Sequence, residues 1–158
     1  MKAVTVKVIS EELTNRSPKE LRDLCLRLSR FKKENKELLT YLLFESSNEE
    51  GYISSIKLEI DEQFTLVNTK TYYFIKKSVR KILRNIKTAI RYSKNKETEV
   101  ELLLYFCKKL KDFKPSINKN TVLKNLFDRE IASIEKKMLA LHEDLQYDYE
   151  QELEKLKR

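Results

Sequence analysis

The chain has 158 residues, 37% charged and 41% hydrophobic, with net charge +8, one glycine (Gly51), two prolines and no tryptophan. That length suits one domain with a real core, and the shortage of turn-formers excludes a β-rich fold. One glycine also excludes the Gly-rich phosphate loops, which need two or more at fixed spacing.

Residues 3–9 alternate, with Val4, Val6 and Val8 on one side. The pattern predicts a short N-terminal strand in an arm of residues 1–16. A lone strand needs a partner, such as the same strand of a second copy; the other reading is a loosely packed arm. Ser17-Pro18-Lys19-Glu20 then opens a helix, with Ser17 as cap, Pro18 at the first position and Glu20 closing a capping box. Leu21, Leu24, Cys25 and Leu28 form its stripe, and Phe31 ends it. A second helix is expected over 34–45. Ser47 and Glu50 are read as the capping box of a third, reaching to about Leu66.

The fourth helix, Thr71 to about Ser93, carries Tyr72, Ile75, Val79, Ile82, Ile86 and Ala89 at alternating steps of three and four. A fifth is expected from about Thr98 to Asp112, before a break at Lys114-Pro115-Ser116. From Thr121 to Lys157 there is no Gly or Pro, and apolar residues recur at steps of three and four. The spacing predicts one helix over 121–157, about 55 Å long. Nothing else in the chain is long enough to cover its stripe, so it either bends back or packs its second half on another molecule. Leu141, Leu145, Tyr149, Leu153 and Leu156 are the candidate self-association residues. The expected fold is therefore all-α: about six helices in antiparallel hairpins within a single domain over 17–158. A helical bundle is the first choice and a short α-solenoid the second.

Catalytic signals are absent. His142 is the only histidine, and it stands among charged helical residues. Two cysteines and one histidine lack metal-ligand spacing, and the carboxylate runs sit among lysines like solvated helix faces. No catalytic residue, metal, cofactor or small-molecule substrate is expected, and the chain reads as non-enzymatic. Cys25 and Cys107 lie in apolar helical stretches and read as structural thiols of a reducing compartment. With no signal peptide and no apolar run long enough to span a bilayer, the expected location is cytoplasmic.

Charge is the one pointed feature. Residues 63–96 contain no acid and ten bases, while the remaining 23 basic and 25 acidic residues sum to −2. On a helical wheel centred on Ile75 the apolar seam spans about −40° to +60°. Lys76, Lys77, Arg80, Lys81, Arg84, Lys87 and Arg91 fall between about 100° and 240° on the same wheel. Such a ridge can follow a phosphate backbone, with Tyr73 and Tyr92 near enough to stack on bases. Alternatively the acidic segment 141–154 covers it, in the same chain or in a second copy, because like charges at i, i+4 repel. The leading expectation is an interaction or assembly module that self-associates through its last helix, with a homo-oligomer or another protein as partner. Sequence-independent nucleic-acid binding by the basic ridge is the alternative.

Overall fold

The computed structural model describes all 158 residues, Met1–Arg158. The chain is helical throughout, without a strand, and has eight α-helices where the pattern suggested about six. It divides into two compact units, Met1–Phe44 and Glu45–Arg158.

The first unit holds α1 (Val6–Thr14), α2 (Pro18–Phe31) and α3 (Lys33–Thr40), followed by a π turn at Tyr41–Glu45. The alternation at 3–9 does not give a strand. No second strand is present to pair with it, and the hydroxyl of Thr5 caps α1 by accepting from the Val8 amide at 3.4 Å. α2 begins at Pro18 with both arms of the capping box formed: the Ser17 amide donates to Glu20 at 2.8 Å and the Glu20 amide to Ser17 at 3.3 Å. α2 packs on α3, and the Asn35 side chain donates to the Leu28 carbonyl at 2.9 Å. The helix expected over 34–45 is therefore α3 plus the π turn.

The second unit holds α4 (Glu49–Thr65), α5 (Tyr72–Ser93), α6 (Lys96–Asp112), a 3-10 turn at Ile117–Lys119, α7 (Thr121–Met138) and α8 (Glu143–Lys157). Asn48, not Ser47, caps α4, accepting from the Gly51 amide at 3.0 Å. Asn95 caps α6, which starts two residues earlier than expected, and α5 ends at Lys94 in the left-handed region. α6 is the hub. Val100, Leu102, Leu103, Leu104, Phe106, Cys107 and Leu110 point in several directions and all are buried. A helix whose apolar residues span more than one face must be covered from more than one direction, and α4, α5, α7 and α8 all pack on it. In a solenoid each repeat meets only its neighbours, so this unit is a bundle around one central helix. The expected seam of α5 is in place: Ile75, Val79, Ile82, Ile86 and Ala89 are buried, joined by Leu83 and Ile90.

Polar ties fix the packing. The Tyr52 hydroxyl donates to the Ala89 carbonyl at 3.0 Å, and that of Tyr72 to the Ser116 carbonyl at 2.9 Å. Lys57 pairs with Glu101 at 2.6 Å and Lys109 with Asp61 at 2.9 Å, both joining α4 to α6. Glu49 accepts from both Ser93 and Thr98, pinning the turn between α5 and α6 to the start of α4.

The expected helix over 121–157 is broken at residues 139–142. His142 turns extended and caps α8, its Nδ1 accepting from the Asp144 amide at 3.4 Å, and Gln146 donates to the Leu141 carbonyl at 2.7 Å. The break needs no Gly or Pro because these side chains meet the backbone groups left free by the turn. Turning back buries Leu153 and lays Leu141, Tyr149 and Leu156 against the core. Lys111 donates to the carbonyls of Lys155 and Leu156 at 3.1 and 2.9 Å, putting a cation at the negative end of α8. Replacing Leu153 by Ala is expected to cost about 2–4 kcal/mol; urea unfolding followed by circular dichroism measures it, and an unchanged midpoint would show that α8 contributes nothing to the unit.

Candidate functional site

Every residue of the basic ridge lies on α5. Lys76 is half-buried, and Lys77, Arg80, Lys81, Arg84, Lys87 and Arg91 are exposed. Packing divides this ridge in two. Arg80, Arg84, Lys87 and Arg91 turn toward α7 and line a groove of about 540 Å³, whereas Lys76, Lys77 and Lys81 lie outside it. The opposite wall is Val122, Asn125, Leu126 and Arg129 of α7, and Leu83 and Thr88 complete the α5 side. α5 and α7 each pack on α6, so the groove is a crease between two helices that share a support. Leu83 and Leu126 are buried, giving the crease an apolar floor. From Arg80 to Arg91 its basic wall runs about 16 Å at the helical rise.

One carboxylate belongs to this site. Glu130, on α7, has only 2% of its side chain exposed and meets Lys87 Nζ at 2.9 Å; Arg129 Nε lies 3.7 Å from the same oxygen. Its second oxygen is buried and accepts no hydrogen bond. Lys87 thus leans across the crease onto a buried acid, and the pair joins α5 to α7. Arg80 and Arg84 make no side-chain hydrogen bond or ion pair, and Arg91 reaches only the Thr88 hydroxyl at 3.3 Å. Five cations and one acid leave the groove at +4.

Beneath it lies Cys107, fully buried on α6. Burial, then the charge of Glu130, pushes its thiol up to about 12, with Lys87 partly opposing. Cys25 is exposed, and the two cysteines are not bonded.

Within the chain, α8 does not supply the acidic cover considered for the ridge. It packs on α6 and α7, and none of Glu143, Asp144, Asp148, Glu150, Glu152 and Glu154 pairs with a ridge residue; Glu154 meets Lys157 and Asp144 meets His142. Four of the five self-association candidates find partners within the chain: Leu153 is buried, and Leu141, Tyr149 and Leu156 pack on the core; the fifth, Leu145, is half-buried. Of the two tyrosines considered for stacking, Tyr73 is largely exposed and meets the Phe74 ring edge-on at 5.5 Å, one turn before Lys77, while Tyr92 is half-buried. Sequence reasoning did not assign Arg129, Asn125 or Glu130 to the site. Their one signal was that Val122, Asn125 and Arg129 recur at helical spacing beside the apolar stripe of α7.

No protein-family model matches the chain, and comparison with curated proteins and with solved structures likewise gives no match. No helix is long and apolar enough to cross a membrane.

Two outcomes follow from the groove's underside. At pH 8 a thiol reagent should titrate one cysteine in the native protein and two in urea; two rapid native reactions would contradict the burial of Cys107. Lys87→Met should destabilise by about 1–3 kcal/mol, because it strands a buried carboxylate. The double variant Lys87→Met/Glu130→Leu should return most of that loss in urea unfolding.

Proposed function

We propose that the α5–α7 groove binds the phosphate backbone of a single-stranded nucleic acid without base specificity. The observation that carries this reading is that Arg80, Arg84, Lys87, Arg91 and Arg129 line one crease, in which Glu130 pairs only with Lys87 and Arg129. Unpaired arginines in a concave site are costly to hold together, and bound phosphates relieve the repulsion through paired, charge-assisted contacts. A basic wall of about 16 Å matches roughly three to five phosphates at 3.4 Å or more per nucleotide. The crease is lined by side chains of two adjacent helices, which suits one strand better than the broad backbone of a duplex. Tyr73 and Phe74 supply exposed rings on the same helix, where a base leaving the groove can stack.

This reading takes up the ridge and adds to it the wall of α7. Self-association through the last helix has less support, because the apolar stripe of α8 is spent on its own core.

Fluorescence anisotropy with a labelled single-stranded oligonucleotide across a salt series tests the proposal. Each phosphate contact contributes about 0.7 to the slope of log K against log salt. Arg84→Ala and Arg129→Ala should each lower the slope by about that amount and weaken binding several-fold. Lys81→Ala, outside the groove, should change it less. Absence of binding at ~50 mM salt, or equal losses from all three variants, would remove the groove from the account.

A further inference from the structure

The basic groove has a counterpart on the same chain. Residues 141–154 hold six acids and no Lys or Arg, and all six, Glu143, Asp144, Asp148, Glu150, Glu152 and Glu154, are exposed on α8. Asp144 meets only His142 and Glu154 only Lys157, and the other four make no ion pair. Asp144, Asp148 and Glu152 stand four apart, as do Glu150 and Glu154, so this face repels itself as the arginines of α5 do.

The two faces match in register. In the groove Arg80, Arg84, Lys87 and Arg91 follow steps of four, three and four. On α8, Glu143, Tyr147, Glu150 and Glu154 follow the same steps. At about 100° per residue these four fall within about 60° of one another, on the side of α8 away from Leu145, Tyr149 and Leu156. Each row is about 16 Å long at the helical rise.

These steps read the same in both directions, so two alignments are open, and charge separates them. The antiparallel one would bring Glu143 to Arg91, Glu150 to Arg84 and Glu154 to Arg80, the α5 arginines of the groove that have no acidic partner. Tyr147 would then face Lys87, the α5 cation already held by Glu130. Its ring, 65% exposed on α8, could cover the Lys87 stem and the apolar floor of the crease. In the parallel alignment Tyr147 would fall on Arg84, and Glu150 would go to the cation that is already paired. Antiparallel helices also set the positive end of α8 beside the negative end of α5.

We propose that the acidic face of α8 docks antiparallel in the α5–α7 groove of a second copy, standing in for a phosphate backbone. α8 is held on α6 and α7 of its own chain, where none of its acids pairs with the ridge, so the contact is between copies. It uses the polar face of α8, opposite the apolar stripe that packs on the core. The proposal takes the groove of the nucleic-acid reading and adds its regulation, because a docked helix and a bound strand exclude each other.

Sedimentation equilibrium of the full chain at ~10–100 μM, after nuclease treatment, tests this in ~50 and ~500 mM salt. The expected result is association at low salt that weakens about tenfold or more at high salt. Arg84→Glu and Glu150→Arg should each weaken it about tenfold or more. Helical circular dichroism should be unchanged, since both side chains are exposed and unpaired. The chain carrying both substitutions should associate again, because the pair is reversed and not lost. A wild-type monomer throughout the range overturns the proposal. So does an assembly that ignores salt, or a double variant that stays as weak as the single ones. Oligonucleotide is absent from these runs, so helix docking and nucleic-acid binding fail or succeed separately.

Discussion

The wide apolar surface of α6 is the constraint from which the rest of the second unit follows. Its polar side is narrow: Lys108 and Asp112 are exposed, while Glu101 and Tyr105 are taken up by Lys57 and Asp61 of α4. Each large apolar side chain contributes about 1.5–3 kcal/mol when it is covered, so four helices are drawn in to cover α6. α5 and α7 give their apolar sides to this common support and have little left for each other. The crease between them is therefore a by-product of close packing elsewhere, lined by whatever those helices carry on their flanks. On α5 that is arginine and lysine at steps of three and four.

A crease of cations is electrostatically expensive, since like charges one turn apart repel by a few tenths of a kcal/mol per pair. Glu130 offsets part of this from below. Placed under the groove it steadies Lys87 while leaving the outer arginines with nothing acidic to hold them. The same carboxylate would be ruinous alone in an apolar floor, because a buried charge must be paired. Fold and field are thus set together: Lys87 stabilises an acid, and the acid fixes where one cation stands.

How much of this was legible in the sequence depended on whether the signal was local. The seam of α5, the box opening α2 and the break at Pro115 are carried by neighbours along the chain, and they lie where the spacing put them. The arm of valines failed as a strand because alternation alone says nothing of a pairing partner, and Thr5 offered a nearer solution. The turn at 139–142 was hidden for the opposite reason: every residue there tolerates a helix, and the gain from folding back is made at Leu153, ten or more residues away. The groove was half visible. One wall lay in a single acid-free run, but Arg129 and Glu130 join it only through the shared contact of α5 and α7 with α6. Nothing local could have marked Glu130 among the many acids as the buried one.

The folding back of α8 also sets an order of events in time. α6 is complete at Asp112, but the helix that closes its remaining side ends at Lys157, roughly 45 residues later. At about 5–20 residues per second of synthesis, that gap amounts to some 2–9 s in which the most apolar helix of the protein exists without its last cover. During that interval the uncovered strip of α6 is the surface on which a nascent chain is most open to chaperones and to its own neighbours.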